Sequence, residues 1–367
     1  MQVTLFLTHN CNLRCKYCFN GESVNKEMSM EVAEKAVDFL YKKLSPLYEL
    51  TFFGGEPLLK FDLIKHIIEY ANSTYPDKIQ YTYFMLNTNG TILNYEIKEF
   101  VLKNKFLVLL SVDGGKRVHD LNRITSANQG SYDLIMKNVE FWKTLSQNNR
   151  LLLQMTITPE TAGQLFEGVM SLKDIPFKTV IFYFDFDNKW EQEHINIFSL
   201  ELTKLSEKYE KILLDNECFS LPVFDEFIRF GALKNQKIRC VAGESLYSVG
   251  IDGDIYPCQR FVKDGSDKQW VVGNVYHGFN KRLGEYLEAK NAVPDKCNEC
   301  GHIRRCKQKC TAINYINNGD INMDTPLRCM VEQSYIQNAD RIAASLIKNN
   351  KERFSEIMKT RFFHEHK

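Results

Sequence analysis

Short apolar runs alternate with longer amphipathic segments through the first half of the chain. Runs such as QVTLFLTH (2–9) and ELTFFGGEP (49–57) have the length and composition of buried strands, and segments with helical periodicity follow them. The other strand-like runs are YTYFMLNTNG (81–90), FLVLLSVDGG (106–115), LLLQMTITPE (151–160) and TVIFYFDFD (179–187). Repeated strand–helix units predict a parallel sheet. We therefore predict an α/β fold, a partial (βα)6 barrel of the TIM type.

The second half of the chain has a different pattern. A charged helical segment, 191–216, leads out of the barrel, and 248–261 predicts a β-hairpin that turns at Asp252-Gly253. A cysteine-dense, lysine-rich loop region covers 295–310, and 330–357 has helical periodicity. The predicted domains are 1–230 for the barrel, 231–340 for a cysteine-rich domain and 341–367 for a helical tail.

Composition narrows the cellular setting. Lysine plus arginine, 47 residues, nearly balance the 46 aspartates and glutamates, so no strong field attracts nucleic acid. The first residues lack a secretory signal pattern, and no apolar run approaches the roughly 20 residues of a membrane span. We expect a cytoplasmic protein that binds neither nucleic acid nor membrane. Eleven cysteines in a reducing compartment indicate metal binding or redox chemistry rather than disulfides.

The first cysteine cluster lies on the loop after the first predicted strand. Cys11, Cys15 and Cys18 are spaced C-x3-C-x2-C, and no fourth cysteine is close in sequence. Three thiolates fit a zinc site or an iron–sulfur site. Structural zinc normally has four closed ligands, whereas three cysteines on a [4Fe–4S] cluster leave one iron open to a ligand that is not protein.

This cysteine spacing, with Tyr17 and the neighbouring NLR and FN, resembles the signature of radical S-adenosylmethionine (SAM) enzymes. The resemblance implies that the open iron binds the amino and carboxylate groups of SAM. Reductive cleavage of SAM would then give a 5′-deoxyadenosyl radical that abstracts hydrogen from the substrate. The resemblance also makes Cys11, Cys15 and Cys18 candidate metal ligands and catalytic residues. It makes Tyr17 a candidate cofactor-binding residue.

Later strand ends carry motifs in matching order. Gly54-Gly55-Glu56-Pro57 resembles the GGE motif of the family, in which the backbone and Glu56 accept hydrogen bonds from the SAM ammonium and glycines allow close approach. The resemblance gives five further cofactor-binding candidates: Asn87, Asn89, Ser111, Asp113 and Arg123. Loop capping by Asn, Ser and Asp, and a solvated loop around Arg123, are the alternatives.

The second cysteine cluster lies in the C-terminal half, spaced C-x12-G-x4-C and then C-x2-C-x5-C-x3-C with one more cysteine. This pattern resembles the SPASM extension of radical SAM enzymes, a β-hairpin followed by cysteine-rich loops and helices. A zinc knuckle is the alternative for the second spacing. The resemblance implies two auxiliary [4Fe–4S] clusters, three clusters in all. Their ligands would be Cys297, Cys300, Cys306 and Cys329 for the distal cluster and Cys240, Cys258 and Cys310 for the proximal one.

The proximal set is short by one cysteine. Residues 231–239 contain none, and Cys218 is the spare cysteine upstream. Either Cys218 completes the set or the proximal cluster has an open iron for a substrate thiolate, a water or another residue. A buried free thiol is the expected state of Cys218.

The resemblance implies an oxidoreductase that modifies a peptide or protein. A ribosomal-peptide maturase, forming thioether or carbon–carbon crosslinks, and an anaerobic sulfatase-maturating enzyme, forming formylglycine, are the main alternatives. Gln259 stands where the sulfatase-maturating group has its aspartate base, and an amide does not take a proton at neutral pH. Asp252 or Asp254 could replace that base, although both fit a turn. We therefore predict a maturase and retain Gln259 as a candidate catalytic residue.

Two further classes stay open. A dehydrogenase of small molecules shares the hydrogen abstraction, and a non-catalytic electron-transfer protein would use clusters only as wires. The cysteine triad followed by GGEP at the next strand end counts against an electron-transfer protein, because such a protein needs no SAM site. The expected partners are an electron donor such as flavodoxin or ferredoxin and, since the chain has no room for a leader-binding module, a separate leader-peptide recognition protein or binding at a sheet edge.

Overall fold

The computed structural model describes residues 1–21, 23–233, 240–263, 265, 267–292, 295–306, 310–323 and 325–359. The strands in these ranges are β1 Gln2–Phe6, β2 Tyr48–Phe53, β3 Thr82–Thr88, β4 Leu107–Ser111, β5 Leu151–Ile157, β6 Val180–Phe184, β7 Leu246–Val249, β8 Asp254–Tyr256, β9 Gly273–Asn274 and β10 Gly278–Phe279. The α/β class predicted from the alternating pattern is confirmed.

The helices between and after these strands are α1 Met30–Lys42, α2 Phe61–Thr74, α3 Pro76–Ile79, α4 Tyr95–Lys103, α5 Lys116–Asn122, α6 Tyr132–Met136, α7 Val139–Gln147, α8 Leu165–Asp174, α9 Gln192–Leu214, α10 Pro222–Ala232, α11 Arg282–Asn291, α12 Asp295–Asn298, α13 Thr311–Asn318, α14 Pro326–Asn349 and α15 Lys351–Lys359. No helix in the described ranges has both the length and the apolar character needed to cross a membrane.

The chain divides into two compact units. The first comprises 1–111, 120–145 and 241–291, and the second comprises 112–119, 146–240 and 292–367. The domain boundaries predicted at 230/231 and 340/341 stay predictions.

The sheet of the first unit positions the cysteine loop. Its strand order is β10-β9-β8-β7-β1-β2-β3-β4, and β1 to β4 run parallel. All five residues of β1 are buried, as expected for a parallel strand that is covered on both faces. Because parallel strands end at the same edge, the segments that follow β1, β2, β3 and β4 lie at one edge of this sheet. Within this unit they include the cysteine loop, GGEP and NTNG.

Local sequence explains the first helix. The Ser29 side chain accepts a hydrogen bond from the Val32 N–H and caps α1. Its buried residues include Val32, Ala33, Ala36 and Val37, at the spacing that places them on one face. The apolar face of α1 therefore belongs to the core of the unit.

The predicted hairpin is confirmed, and its sheet partner was not predicted. β7 and β8 pair antiparallel, and Gly253 in the turn has φ +83°. β7 also pairs in parallel with β1, with Gln2 opposite Leu246. The hairpin that carries Cys258 therefore extends the sheet on which the cysteine loop is mounted.

The second unit has β5 and β6 as a parallel pair, with Met155 opposite Phe182. Its helices α9, α10 and α14 pack around a core of aromatic rings. Phe227 stacks on Tyr335 with ring centroids 5.9 Å apart, and Phe198 meets Tyr335 edge-on at 6.0 Å. These large buried rings stabilise the helical layer of this unit.

Several predicted elements differ from those observed. The segment 130–145, expected as one helix, forms α6 and the start of α7, and α5 occupies the expected loop 116–122. The helix expected over 161–172 begins as a 3-10 turn at Pro159–Gln164, because Pro159 fixes the first turn. The tail forms α14 and α15 rather than one helix. Residues 360–367 of the predicted tail lie outside the described residues.

Candidate active site

The loop that carries the first three cysteines is fixed through its backbone. The Arg14 N–H donates to the Ile124 carbonyl at 2.7 Å, and the Lys16 N–H donates to the Asn122 carbonyl at 3.0 Å. The Cys18 N–H donates to the carbonyl of Cys15 at 3.1 Å. The loop between the first and third cysteines is thus held in one conformation by a segment over a hundred residues later in the chain.

Two thiols of this loop, those of Cys11 and Cys15, receive hydrogen-bond donors. The Leu13 N–H lies 3.4 Å from the Cys11 Sγ, and the Asn89 Nδ2 lies 3.8 Å from the same sulfur. The Arg123 Nη1 lies 4.0 Å from the Cys15 Sγ. Donors and a guanidinium around sulfur favour the thiolate form, which is the form that binds iron.

Burial acts in the other direction at Cys11. It raises the pKa of the Cys11 thiol to about 12, and the Leu13 N–H opposes this rise while the charges of Glu56, Cys15 and Cys18 add to it. The mutual effect of the three thiols shows that they share one neighbourhood. Metal binding at this loop must therefore release a proton from Cys11.

The two glycines of GGEP allow the cysteine loop to pass directly over the end of β2. Gly54 has φ +138°, and a Cβ there would lie 2.4 Å from the Thr8 carbonyl oxygen. A Cβ on Gly55 would lie 2.2 Å from the Asn10 carbonyl oxygen and 3.1 Å from the Cys11 Cβ. The Gly55 N–H donates to the Thr8 carbonyl at 2.8 Å. Only glycine fits at these positions, and the closely approaching partner is the start of the cysteine loop.

Glu56 is fully buried and joins the end of β2 to the end of β3. Its Oε1 accepts from the Leu58 N–H at 3.0 Å and the Thr88 hydroxyl at 2.8 Å, and its Oε2 accepts from the Asn89 N–H at 2.8 Å. Burial raises the pKa of Glu56 to about 7, against the effect of these three hydrogen bonds. Pro57 begins the 3-10 turn that Glu56 caps. The predicted contact of Glu56 with SAM stays a prediction.

Glu56→Gln tests this bracing role. Glutamine keeps the volume but turns one acceptor oxygen into a donor that faces N–H or O–H groups, so we expect the free energy of unfolding to fall by about 2 kcal/mol. Urea unfolding followed by circular dichroism measures it. Glu96→Gln is the matched control, because the Glu96 side chain is 62% exposed and pairs with Lys65 at the surface, and such a pair contributes at most about 1 kcal/mol. Equal losses in the two variants would contradict the role.

Asn89 links the third strand end to the cysteine loop. Its Nδ2 donates to the Asn12 Oδ1 at 2.9 Å, and its Oδ1 accepts from the Thr91 hydroxyl at 2.6 Å. The Asn20 Nδ2 donates to the Gly54 carbonyl at 2.9 Å. Asn87 is half-buried within β3. The sequence-based prediction omitted Asn12 and Asn20, although asparagines repeated around cysteines were a usable signal.

Ser111 and Asp113 come at the end of the fourth strand. Ser111 is a buried residue that ends β4. Within the second unit, the Asp113 Oδ1 accepts from the Thr156 N–H at 2.9 Å, and the Asp113 N–H donates to the His119 Nδ1 at 3.2 Å. The observed contacts of Asp113 therefore fix backbone, as the loop-capping alternative expects, and its cofactor role stays a prediction.

Two arginines stack on aromatic rings that flank Cys18. The guanidinium of Arg123 lies 5.2 Å from the centroid of the Tyr17 ring, and that of Arg260 lies 4.9 Å from the Phe19 ring. These distances are typical of cation–π contacts. Arg260 and Phe19 were missed from the sequence, because contacts between distant segments leave no local pattern. Arg123 and Arg260 thus place two positive charges next to the cysteine loop.

Gln259 begins a short 3-10 turn directly after Cys258. The two carboxylates considered as replacement bases are engaged elsewhere. Lys268 Nζ lies 2.7 Å from the Asp254 Oδ2 and also pairs with Asp252. Both aspartates therefore stabilise the hairpin, and the structure provides no free base from this turn within the described residues.

The cysteines of the distal set all lie in the second unit. The Cys300 N–H donates to the Cys297 carbonyl at 3.2 Å, and the Cys306 N–H donates to the His302 carbonyl at 2.9 Å. Cys329 lies in the first turns of α14. Two of the four predicted ligands therefore lie in helices, Cys297 in α12 and Cys329 in α14, and the other two follow α12 in the same segment.

Cys218 is exposed rather than buried, which corrects the expectation of a buried thiol. It lies by the start of β6, where Ser220 pairs with Thr179. The carbonyl of Cys310 lies 3.5 Å from the Arg328 Nη1, and that guanidinium stacks on Phe186, just past the end of β6. A five-residue strand spans about 17 Å. Cys218 and Cys310 thus lie at opposite ends of β6. This separation disfavours Cys218 as the fourth ligand of the proximal cluster, to which Cys310 is assigned.

The donor set suits iron–sulfur clusters better than a single ion. Among the described residues, no three His, Cys, Asp or Glu side chains are grouped as ligands of one metal ion. None of the eleven cysteines is in a disulfide bond. In a four-iron cluster each cysteine binds a different iron, so the thiolates need not converge on one point. Three neighbouring thiols, two of them with N–H donors, next to a glycine-lined strand end, fit such a cluster.

Residues 5–170 match the family model of the Radical SAM superfamily. The chain belongs to this superfamily. It is 26% identical over 325 residues to the cysteine-type anaerobic sulfatase-maturating enzyme of Clostridium novyi (strain NT), covering 82% of this chain and 85% of the relative. It is 30% identical over 257 residues to an uncharacterised protein of Methanocaldococcus jannaschii, covering 70% and 84%.

A solved structure gives the fold of this radical SAM enzyme independently. Native anSMEcpe with bound AdoMet and Cp18Cys peptide superposes with a TM-score of 0.79 at 22% identity, covering 95% of this chain and 99% of that one. The partial-barrel fold and the family predicted from the sequence are confirmed. SAM and [4Fe–4S] clusters are accordingly the cofactors of this enzyme. The individual ligand and cofactor-binding residues stay predictions.

Proposed function

We propose that this radical SAM enzyme modifies a peptide or protein by hydrogen abstraction and forms a thioether or carbon–carbon crosslink. Bound SAM and its cluster would supply a 5′-deoxyadenosyl radical as the abstracting species. Cys11, Cys15 and Cys18 would hold that cluster. Two auxiliary clusters would be held by the C-terminal cysteines.

The observation that carries the proposal is the cysteine loop pressed onto Gly54-Gly55. The chain uses two glycines, a buried Glu56 and Asn89 to fix a loop of three thiols, two of whose sulfurs receive N–H donors. These close contacts and hydrogen bonds suit a site that must hold its ligands rigidly. The relatives named for sulfatase maturation and the peptide-bound anSMEcpe structure support a polypeptide substrate.

Sulfatase maturation is the second candidate. It is favoured by the alignment with the Clostridium novyi enzyme over 85% of its length. Gln259 disfavours it, because an amide does not act as a base, and Asp252 and Asp254 are held by Lys268. The crosslinking reaction remains our first choice for this reason.

The proposed partners follow from the chemistry. Reductive cleavage of SAM needs a one-electron donor such as flavodoxin or ferredoxin, and leader-peptide recognition would be supplied by a separate protein. We also propose a cytoplasmic location, which the eleven cysteines outside disulfide bonds support. The enzyme would be classed as an oxidoreductase.

Anaerobic reactions with a panel of peptides test the proposed function. The enzyme, SAM and dithionite are incubated with a cysteine-containing peptide, a sulfatase-derived peptide and a small alcohol, and the products are analysed by mass spectrometry. We expect loss of two hydrogen atoms from the first peptide, with no aldehyde. A product that reacts with a hydrazine probe would establish formylglycine instead, and turnover of the alcohol alone would establish a dehydrogenase.

A further inference from the structure

An ion pair joins the two chain segments that carry the predicted distal ligands. Arg305 Nη1 lies 2.5 Å from the Asp340 Oδ1, and its Nη2 lies 2.7 Å from the Oδ2. Two parallel N–H···O bonds of this kind fix both distance and orientation. Arg305 directly precedes Cys306, and Asp340 lies about three turns after Cys329 on α14. The pair therefore fastens the cysteine-rich segment to the helix of the fourth ligand.

A glycine on a third element makes room for this pair. A Cβ on Gly231, in α10, would lie 2.5 Å from the Arg305 Nη1 and 3.6 Å from the Asp340 Oδ1. α10 is itself locked to α14, because Phe227 stacks on Tyr335. Glycine is unfavourable inside a helix. Its use here is explained by the guanidinium, which occupies the space that a side chain would take.

The Arg305 side chain is largely shielded from water. It is 16% exposed, whereas the Asp340 side chain is 52% exposed. Partial burial and two-point geometry make this pair stronger than an ordinary surface ion pair. The other contacts of the cysteine-rich segment described above, such as the Cys306 N–H to the His302 carbonyl, are local. The ion pair is thus a long-range contact next to a predicted ligand.

We propose that Gly231, Arg305 and Asp340, here called the latch, position Cys306 relative to Cys329 for the distal auxiliary cluster. The inference rests on the proposed auxiliary clusters. All three act through the cysteines and none touches a reacting atom. Ligands held in place before iron arrives bind it more tightly, because less ordering is required on binding. Opening the latch should therefore weaken iron retention at the distal site and leave the N-terminal site unchanged.

Gly231→Ala is the decisive variant, because its two effects have opposite signs. Alanine favours the helix, which offsets part of the stability lost with the ion pair, while the added methyl displaces the tip of Arg305. Wild-type protein should contain about twelve irons in three clusters. We expect the variant to release about four of them to an anaerobic chelator about fivefold faster than wild type. The electron paramagnetic resonance signal of one auxiliary cluster should decline in parallel.

Gly284→Ala in α11 is the matched control, since nothing lies within 4 Å of the added Cβ. It should release iron at the wild-type rate. Asp340→Asn should reproduce the fast release, and Asp340→Glu, which keeps the charge, should restore most of the retention. All variants should still cleave SAM.

The outcomes separate the latch from the proposed clusters. Wild-type protein with about twelve irons, together with wild-type release in Gly231→Ala and Asp340→Asn, would overturn the latch alone. Wild-type protein with about four irons would overturn the auxiliary clusters, and the latch with them. Fast release of iron from all three clusters in Gly231→Ala would also overturn the proposal, because it would show a general disturbance of the fold rather than an effect on the distal site.

Discussion

Cys15→Ala should reduce the formation of 5′-deoxyadenosine from SAM to background. Cys15 lies in the middle of the predicted triad, its carbonyl accepts from the Cys18 N–H, and its sulfur lies 4.0 Å from the Arg123 Nη1. The variant leaves two cysteine ligands, so one of the three irons that the protein would bind through cysteine loses its ligand. The measurement is 5′-deoxyadenosine by liquid chromatography after anaerobic reconstitution with dithionite.

Two cysteine controls accompany this prediction. Cys218→Ala removes an exposed free thiol and should change neither SAM cleavage nor iron content. Cys329→Ala should spare SAM cleavage while it stops conversion of the peptide. Unchanged 5′-deoxyadenosine formation in Cys15→Ala would refute the assignment of the N-terminal triad.

Gly55→Ala should lower SAM cleavage at least about 100-fold without removing any ligand. The new Cβ would lie 2.2 Å from the Asn10 carbonyl oxygen and 2.6 Å from its carbon, and both are backbone atoms that no rotamer change relieves. The cysteine loop must therefore move, and a displacement near 1 Å at a reacting centre costs about 100-fold in rate. We also expect a stability loss of about 3 kcal/mol from the forced overlap. Cleavage assays and thermal unfolding measure the two effects.

Gly163→Ala provides the comparison for this variant. A Cβ at Gly163 would make an ordinary contact of 3.4 Å with the Ile197 Cγ2, so activity and stability should stay near wild type. Wild-type cleavage by Gly55→Ala would show that the tight crossing of the loop over β2 is irrelevant to the SAM site.

Structural features could be predicted from the sequence where the local backbone conformation or burial allows few residue types. The turn at Asp252-Gly253, the glycines at the end of β2 and the buried strand β1 each leave a local mark, because φ, close approach and two-sided burial restrict the residues allowed. The cysteine spacing likewise led to the superfamily. The predicted turn and strand hold in the structure, whereas at Gly54 and Gly55 the observed close partner is the cysteine loop and the approach to SAM stays a prediction.

What the sequence did not predict depends on distant partners. The sequence around Leu246 does not predict that β7 pairs in parallel with β1. The sequence around Arg305 does not predict its ion pair with Asp340. The exposure of Cys218 is also set by packing rather than by its neighbours in sequence. Tertiary contacts between segments far apart in the chain leave no periodic pattern to detect.

The pairing of β1 with β7 sets a time order for making the enzyme. β1 is synthesised well before one of its two neighbours in the sheet, the strand that contains Leu246. At synthesis rates of about 5–20 residues per second, that neighbour is made about 10–50 s later. Until then one edge of β1, directly before the cysteine loop, has no strand beside it, and pairings between such distant segments form slowly. Iron delivered before the second half of the chain is made would meet an unfinished site, so cluster insertion belongs after synthesis.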